Sequence, residues 1–486
     1  SRSRLGCRLA ARSFARPGLR VSGPKWLAMA ELPKDLIDNT YWCSLIGLRR
    51  EVHMNPEPGF KEVRTQSRVR EVLVKFAGIP EDKIRSSALT GLIVDICGTG
   101  PTKDQAVKCI ALRSDLDALT MTEGNNSLPY RSKNEGVAHM CGHDGHIAAL
   151  VGAAILLQQR ADRIPSNFKV RLIFQPAEES TPPGTGGFDY ARTGGGGAVP
   201  MIDEGCLENV DEIYGWHNWP TWPLGRVAVQ PGAVMAQTSA FEIKIHGRGG
   251  HGSQPHACVD PIVCGAAVVS SLQTIVSRSL PSSSNAVITI GTFHAGERNN
   301  VIPDTAILTG TVRDVDDKVF AIIQKRFQEL VNNVCKGFGC TADVTLSVQY
   351  PALMNHQEQT DVVKRCAASL TGPLQSTVTN ENLPVLGGED FAFFLKHRPG
   401  CYFFLGTHEL FMRDLAAYEG SADAPRSNCI CHGTTFDFND NVLPRAITML
   451  IRIVEDRFGV ALYSQEEILQ AKTQPAASNG KRARLA

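Results

Sequence analysis

Three β-rich runs, each delivering an acid or a histidine at its carboxyl end, constrain this 486-residue chain more than any other feature. VKCIALRS (107–114) ends at Asp115 and Asp117. FKVRLIF (168–174) runs into Gln175-Pro176-Ala177-Glu178-Glu179, and DEIYGW (211–216) ends on His217. Between the first two lies DGHIAALVGAAILLQQRA (144–161), apolar at helical spacing, with Asp144 placed to cap its first turn. Strands alternating with helices predict an α/β fold, a mainly parallel sheet with helices on both faces. Sites in such sheets form beyond the carboxyl ends of the strands, and these three ends supply Asp117, Glu178, Glu179 and His217.

The rhythm changes between residues 236 and 349. SAFEIKIHG, a helix over DPIVCGAAVVSSLQTIVSRS, NAVITIGTF, TAILTGTVR, a helix over DKVFAIIQKRFQELVNNVCKGFG and ADVTLSVQY follow one another. That order is β-α-β-β-α-β, a ferredoxin-like unit inserted as a lid or dimerisation domain. The α/β pattern resumes with CYFFLG (401–406) and a closing helix over VLPRAITMLIRIVEDRFG. The catalytic domain is therefore expected in two parts, 35–235 and 350–465, with disordered termini over 1–34 and 466–486. The Gly-rich stretch 181–198 lacks the strand–loop–helix frame of a phosphate cradle and reads as a loop.

Composition narrows the partners. With 43% apolar and 20% charged residues, the chain buries a sizeable core. Residues 1–28 hold six Arg and Lys25 and no acid, so 43 basic face 49 acidic residues in the remainder, about −6. Nucleic acid is not an expected partner. Nor is a membrane, since no uninterrupted run of about 18 apolar residues exists. The arginine-rich, acid-free start resembles a mitochondrial or plastid transit peptide. MAELPKDLID offers a competing start at Met29 and, with it, the cytoplasm. The 14 cysteines are scattered, with Cys429-Ile430-Cys431 the one close pair, so no disulfide framework is expected.

Residues 139–146, HMCGHDGH, place Cys141 and His143 just before the predicted helix, with Gly142 free to turn the backbone between them. A thiolate and an imidazole suit zinc, manganese or cobalt, and Glu179 and His217 can complete the set. Adjacent residues leaving an extended strand point apart, so Glu178 and Glu179 are expected to divide two tasks, one holding metal and the other serving as general base.

Together with RREVHMNPEPGFKE (49–62), LRSDLDAL (112–119), PYRSKNEGVAHMCGHDGH (129–146), FQPAEE (174–179), GWHNWP (215–220), GRGGHGSQPH (247–256), NVIPD (300–304), GGEDFAFF (387–394) and FDFND (436–440), these residues carry a family resemblance. The chain resembles the aminoacylase/carboxypeptidase clan of dinuclear metallohydrolases over about residues 38–462. Within the clan it is similar to hippurate hydrolases and plant indole-acetyl-amino-acid hydrolases. The resemblance implies that Cys141, His143, Glu179, His217 and His432 ligate two divalent ions (manganese, zinc or cobalt) and that Glu178 is the base. It implies that Asp117 orients a ligand, that His251 stabilises the oxyanion, and that Asn300 and Arg313 grip a substrate carboxylate. Arg313 could equally pair with a nearby acid. The implied activity is hydrolysis of N-acyl amino acids by a homodimer joined through the inserted unit, with His251 lent to the partner's site; a carboxypeptidase or dipeptidase using the same machinery is the alternative. His53, His139 and His146 are expected to pack or hydrogen-bond, and Cys429 and Cys431 to be incidental. A non-catalytic binding protein and a structural zinc protein are the competing classes.

Overall fold

The structure is a computed structural model that describes residues 40–408 and 430–471. The transit-like start, Cys429 and the last 15 residues lie outside them.

The main sheet has eight strands in the order Ile84–Ser87, Gly91–Cys97, Lys169–Gln175, Cys109–Asp115, Glu212–Pro223, Gly400–His408, Arg226–Ala228, Thr377–Thr379. The central four, Lys169–Gln175 through Gly400–His408, are mutually parallel. Antiparallel pairs appear toward the edges, at Ile84–Ser87, Gly91–Cys97 and Arg226–Ala228. This is the expected α/β architecture with mixed edges, and every residue of the strand Cys109–Asp115 is buried.

One face is covered by the helices Thr40–Met54, Val63–Lys75, His143–Gln159, Gln357–Ala368 and Leu443–Phe458. The other carries the shorter Ala198–Asp203 and Phe391–His397. His143–Gln159 packs between the sheet and the helices Thr40–Met54 and Leu443–Phe458, and is buried from His143 through Leu157. That explains why its sequence is apolar on all sides rather than along one stripe.

Asp144 does not cap this helix. The N-cap is Gly142, and the Asp144 carboxylate is drawn into a buried network with Arg49 and His53. Arg49 also reaches Asp437 and Asp440, tying the helix Thr40–Met54 to a segment almost 400 residues away. His53 is held between Asp144 (Nδ1, 3.0 Å) and Glu123 (Nε2, 3.4 Å), and so is structural, as expected. Burial works to lower its pKa, but the two carboxylates outweigh this and raise it to about 9. A folded-state pKa above the unfolded 6.5 gives stability that is present below pH 6.5 and lost as pH rises toward 9. The shift corresponds to as much as about 3 kcal/mol. We expect thermal or urea unfolding to show the parent losing stability between pH 6.5 and 9, and His53→Gln to flatten that slope.

The inserted unit forms a four-stranded antiparallel sheet in the order Ala286–Ala295, Thr305–Asp314, Gln237–His246, Thr341–Tyr350. The helices Pro261–Thr274 and Asp317–Gly337 pack on it over a core containing Phe241, Val268, Leu272, Ile323 and Phe327. The element order and pairing are the ferredoxin-like ones. Among the described residues, one helical segment, Pro261–Ser279, is long and apolar enough to cross a membrane, with hydropathy 1.3. Cys264, Val268 and Leu272 on it face this core instead. The terminus expected to be disordered from 466 begins in fact with a helix, Gln465–Leu469, closed by a Ser464/Glu467 capping box over a buried Ile468.

Candidate metal centre

The parallel strands deliver their carboxyl ends to one edge, and the donors converge there. Cys141 Sγ lies 3.3 Å from His217 Nε2. His143 Nε2 lies 3.8 Å from Glu178 Oε2 and 3.9 Å from Glu179 Oε1. His432 Nε2 is 3.1 Å from the same Glu179 oxygen. Cys141, His143 and His217 form one group of close donors, Cys141, Glu179 and His432 a second, and His143, Glu178 and Glu179 a third. The five residues expected from the sequence to ligate are thus brought together with Glu178.

Three backbone features build this edge. Gly142 turns at φ +101°, and a Cβ there would stand 2.1 Å from Asn218 Oδ1, so only glycine lets Cys141 and His143 face the same space. His432 sits in the left-handed region (φ 68°), its N–H bonded to the Met140 carbonyl at 2.7 Å. Ala177 and Ser180 are left-handed too, at φ 52° and 60°. The extended-strand argument that Glu178 and Glu179 must point apart therefore fails: the chain is not extended there, and both carboxylates approach His143.

Supporting contacts fix the donors' orientation. His143 Nδ1 is 2.9 Å from the Asp117 carbonyl, and Asp117 Oδ2 accepts the Glu179 N–H at 3.0 Å. Asp117 thus sits behind two candidate ligands, His143 and Glu179. His217 Nδ1 donates to the Asn218 carbonyl at 2.6 Å, leaving Nε2 as the lone-pair nitrogen. His146 bonds Asp115 (2.7 Å) and the Asn218 N–H (3.2 Å), the hydrogen-bonding role expected for it. His139 is buried, and neither of its ring nitrogens has a hydrogen-bond partner among the described residues.

The electrostatics are those of a cation site. Burial, then His146 and His143, push His217 down to about 3, so its imidazole is neutral. Burial also opposes a charge on His143, yet Asp115, Asp117 and Glu179 raise it to about 10. Contact with Cys431, burial and Glu179 hold the Cys141 thiol well above its ordinary range. Burial, then Glu389, Glu179 and Asp390, push the Glu178 carboxyl well up. Glu179 is lowered to about 2 despite its burial, through His432 and His143. Among the described residues His143 Nε2 is buried without a hydrogen-bond partner, facing carboxylates that favour positive charge. A divalent ion displacing these protons satisfies both the orphaned nitrogen and the crowded carboxylates, so the donor set fits one.

An open cleft of ≈ 400 Å³ lies over these donors. Beside Cys141, Glu178, Glu179, His217 and His432, its walls include Trp219, Met235, Thr238, Arg313, Tyr350 and Gly388. Tyr350 donates from its hydroxyl to the Glu178 carbonyl at 2.9 Å. Among the described residues no acid pairs with Arg313, and burial lowers its pKa. His251 and Asn300 are not in this wall. They lie exposed on a short ribbon in which Gly250–His251 pairs with Val301–Ile302. Sequence reasoning gave no role to Trp219, Tyr350 or the Glu389–Asp390 pair; the GGEDFAFF motif was the one available signal for the last.

The model of peptidase family M20/M25/M40 matches residues 111–418. The chain belongs to this family. It is 38% identical over 378 residues to thermostable carboxypeptidase 1 of Saccharolobus solfataricus, covering 78% of this chain and 88% of that one. It is 32% identical over 412 residues to hippurate hydrolase of Campylobacter jejuni, covering 84% and 94%. The crystal structure of a dinuclear metal-binding M20 peptidase from Bacillus subtilis superposes with a TM-score of 0.67 at 29% identity, covering 87% and 99%. An M20 member with this donor set is a hydrolase, and its described candidate ligands suit divalent metal ions.

Proposed function

We propose that this M20 hydrolase cleaves the amide bond of small N-acyl amino acids, releasing a carboxylic acid and a free amino acid. The observation that carries this reading is Arg313: a partly buried guanidinium without a carboxylate partner among the described residues, in the same ≈ 400 Å³ cleft as Glu178. A guanidinium fork matches a substrate carboxylate in two hydrogen bonds. The cleft has room for a compact acyl amino acid.

Cys141, His143, Glu179, His217 and His432 would hold two divalent ions, with Cys141 and the imidazoles favouring zinc-like ions and the carboxylates admitting manganese or cobalt. Bound there, the ions supply positive charge that polarises the scissile carbonyl and acidifies water. Glu178 takes the proton of the attacking water and delivers it to the leaving nitrogen. Burial, then crowding by Glu389 and Glu179, raises its proton affinity above that of an exposed carboxylate. Asp117 keeps His143 and Glu179 aimed. Trp219, Met235 and Tyr350 offer the acyl group an apolar wall, and Arg313 receives the carboxylate, joined by Asn300 of a second copy, since Asn300 lies outside this chain's cleft beside the His251 ribbon. His251 supports the oxyanion from a second copy of the chain, in a homodimer paired through the inserted unit.

Two measurements test this. The metal-reconstituted chain should release amino acid from acetyl-, benzoyl- and indole-acetyl-amino acids faster than from tripeptides of the same carboxyl-terminal residue; faster cleavage of the peptides would move the assignment to a carboxypeptidase. Chelation should abolish hydrolysis, and manganese, zinc or cobalt should restore it at two ions per chain by elemental analysis. Full activity in metal-free protein would sink the metal assignment.

A further inference from the structure

At the rim of the cleft a second thiol meets Cys141, and hydrolysis has no use for it. The His432 N–H to Met140 carbonyl bond sets residues 140–141 beside 431–432. Cys431 Sγ lies 3.7 Å from the Cys141 carbonyl oxygen and accepts from the Asn218 amide at 3.7 Å. Both cysteines line the cleft, Cys141 at 7% exposure and Cys431 partly exposed.

We propose that Cys141 and Cys431 form a redox pair: a hydroperoxide joins them as a disulfide, which takes Cys141 out of the donor set and switches hydrolysis off until a thiol reductant reopens it. The switch rests on the reading of Cys141 as a metal ligand. Cys431, the more accessible thiol, reacts first. Its sulfur attacks one oxygen of hydrogen peroxide, the O–O bond breaks, and the other oxygen leaves as water with the thiol proton, giving a sulfenic acid. Cys141 sulfur then attacks that sulfur; the S–S bond forms, the S–O bond breaks, and the second water leaves with the Cys141 proton. Two thiols lose two electrons to one peroxide. A divalent ion on Cys141 competes with the second step, so oxidation is fastest when the site is short of metal.

A second pair makes the choice discriminating. Cys264 and Cys335 are 3.6 Å apart, but lie in the core of the inserted unit at 0% and 1% exposure, where a small polar oxidant has no entry. Cys429, outside the described residues, is the other competitor by sequence.

The test treats the full chain, metal-loaded and chelated, with hydrogen peroxide. Readouts are intact mass, disulfide peptide mapping, bound metal, and hydrolysis of the best acyl amino acid before and after dithiothreitol. The expected result is a mass loss of about 2 Da assigned to Cys141–Cys431. It should form faster in chelated protein and block metal rebinding, with activity falling at least about tenfold and returning on reduction. Cys431→Ser and Cys431→Ala should each keep their own starting rate through the same treatment. A main crosslink at Cys264–Cys335 or Cys429–Cys431, no crosslink at all, or a Cys431→Ser variant as peroxide-sensitive as the parent would overturn the pair. A Cys141–Cys431 crosslink that leaves metal binding intact would overturn the switch through the ligand role of Cys141, so the failure of that reading is distinguishable from the failure of the thiol pairing.

Discussion

Glu178→Gln is expected to lower kcat by about two to four orders of magnitude while the chain keeps two ions. Glutamine has the same shape and still receives Tyr350 at its backbone carbonyl, but cannot accept a proton from water. Folding should not suffer. Burial and the neighbouring Glu389, Glu179 and Asp390 already favour the neutral carboxyl, and a neutral amide relieves the same crowding. The contrast is Glu179→Gln, which removes the charge that faces His432 at 3.1 Å and His143 at 3.9 Å. That variant should lose metal and recover part of its rate when metal is added in excess. Steady-state kinetics paired with elemental analysis of both variants decides the matter. A metal-depleted Glu178→Gln beside a metal-replete, inactive Glu179→Gln would mean the two roles are exchanged.

Why these two neighbours needed the structure shows how far the sequence reaches. The alternation of β-rich runs and helical stretches determines the parallel core and the ends at Asp115 and Gln175, because burial on both faces writes itself into near-continuous apolar runs. The strand expected to end on His217 instead runs on to Pro223, held by its pairing with Gly400–His408. The six-element rhythm of residues 236–349 gives the inserted sheet and its two helices for the same reason. Three-residue strands such as Arg226–Ala228 and Thr377–Thr379 leave no periodicity to read. The approach of Glu178 to Glu179 depends on a left-handed Ala177, a conformation non-glycine residues seldom take and sequence does not announce. Asp144 reads as a cap locally, yet binds Arg49 and His53, partners about 90 residues away. The cleft wall joins Trp219, Arg313, Tyr350 and Gly388 from four separate segments. The family resemblance, rather than spacing, singled out His432, which lies on a loop with no strand to predict its place.

His251 gives the sharpest test of assembly. It is exposed, on a two-residue strand paired with Val301–Ile302, and is absent from the wall of its own chain's cleft. Its Nδ1 accepts from the Ser253 N–H at 3.1 Å, which puts the proton of the neutral ring on Nε2, where it can donate to a developing oxyanion. A donor exposed on the inserted unit and absent from its own chain's cleft wall is suited to another copy, and two-fold pairing is the commonest closed symmetry for soluble chains. Loss of one oxyanion donor costs about two to three decades in rate, so His251→Ala alone should be nearly inactive, with its metal content unchanged. Glu178→Ala alone should be inactive as well. Co-expressed with different tags and purified as mixed dimers, the two should regain up to about half of parental activity, because one of the two sites then owns an intact Glu178 and an intact borrowed histidine. Dilution below the dimer dissociation constant should erase the recovered rate. If verified mixed dimers stay as inactive as either parent variant, His251 serves its own chain or none, and the shared site falls.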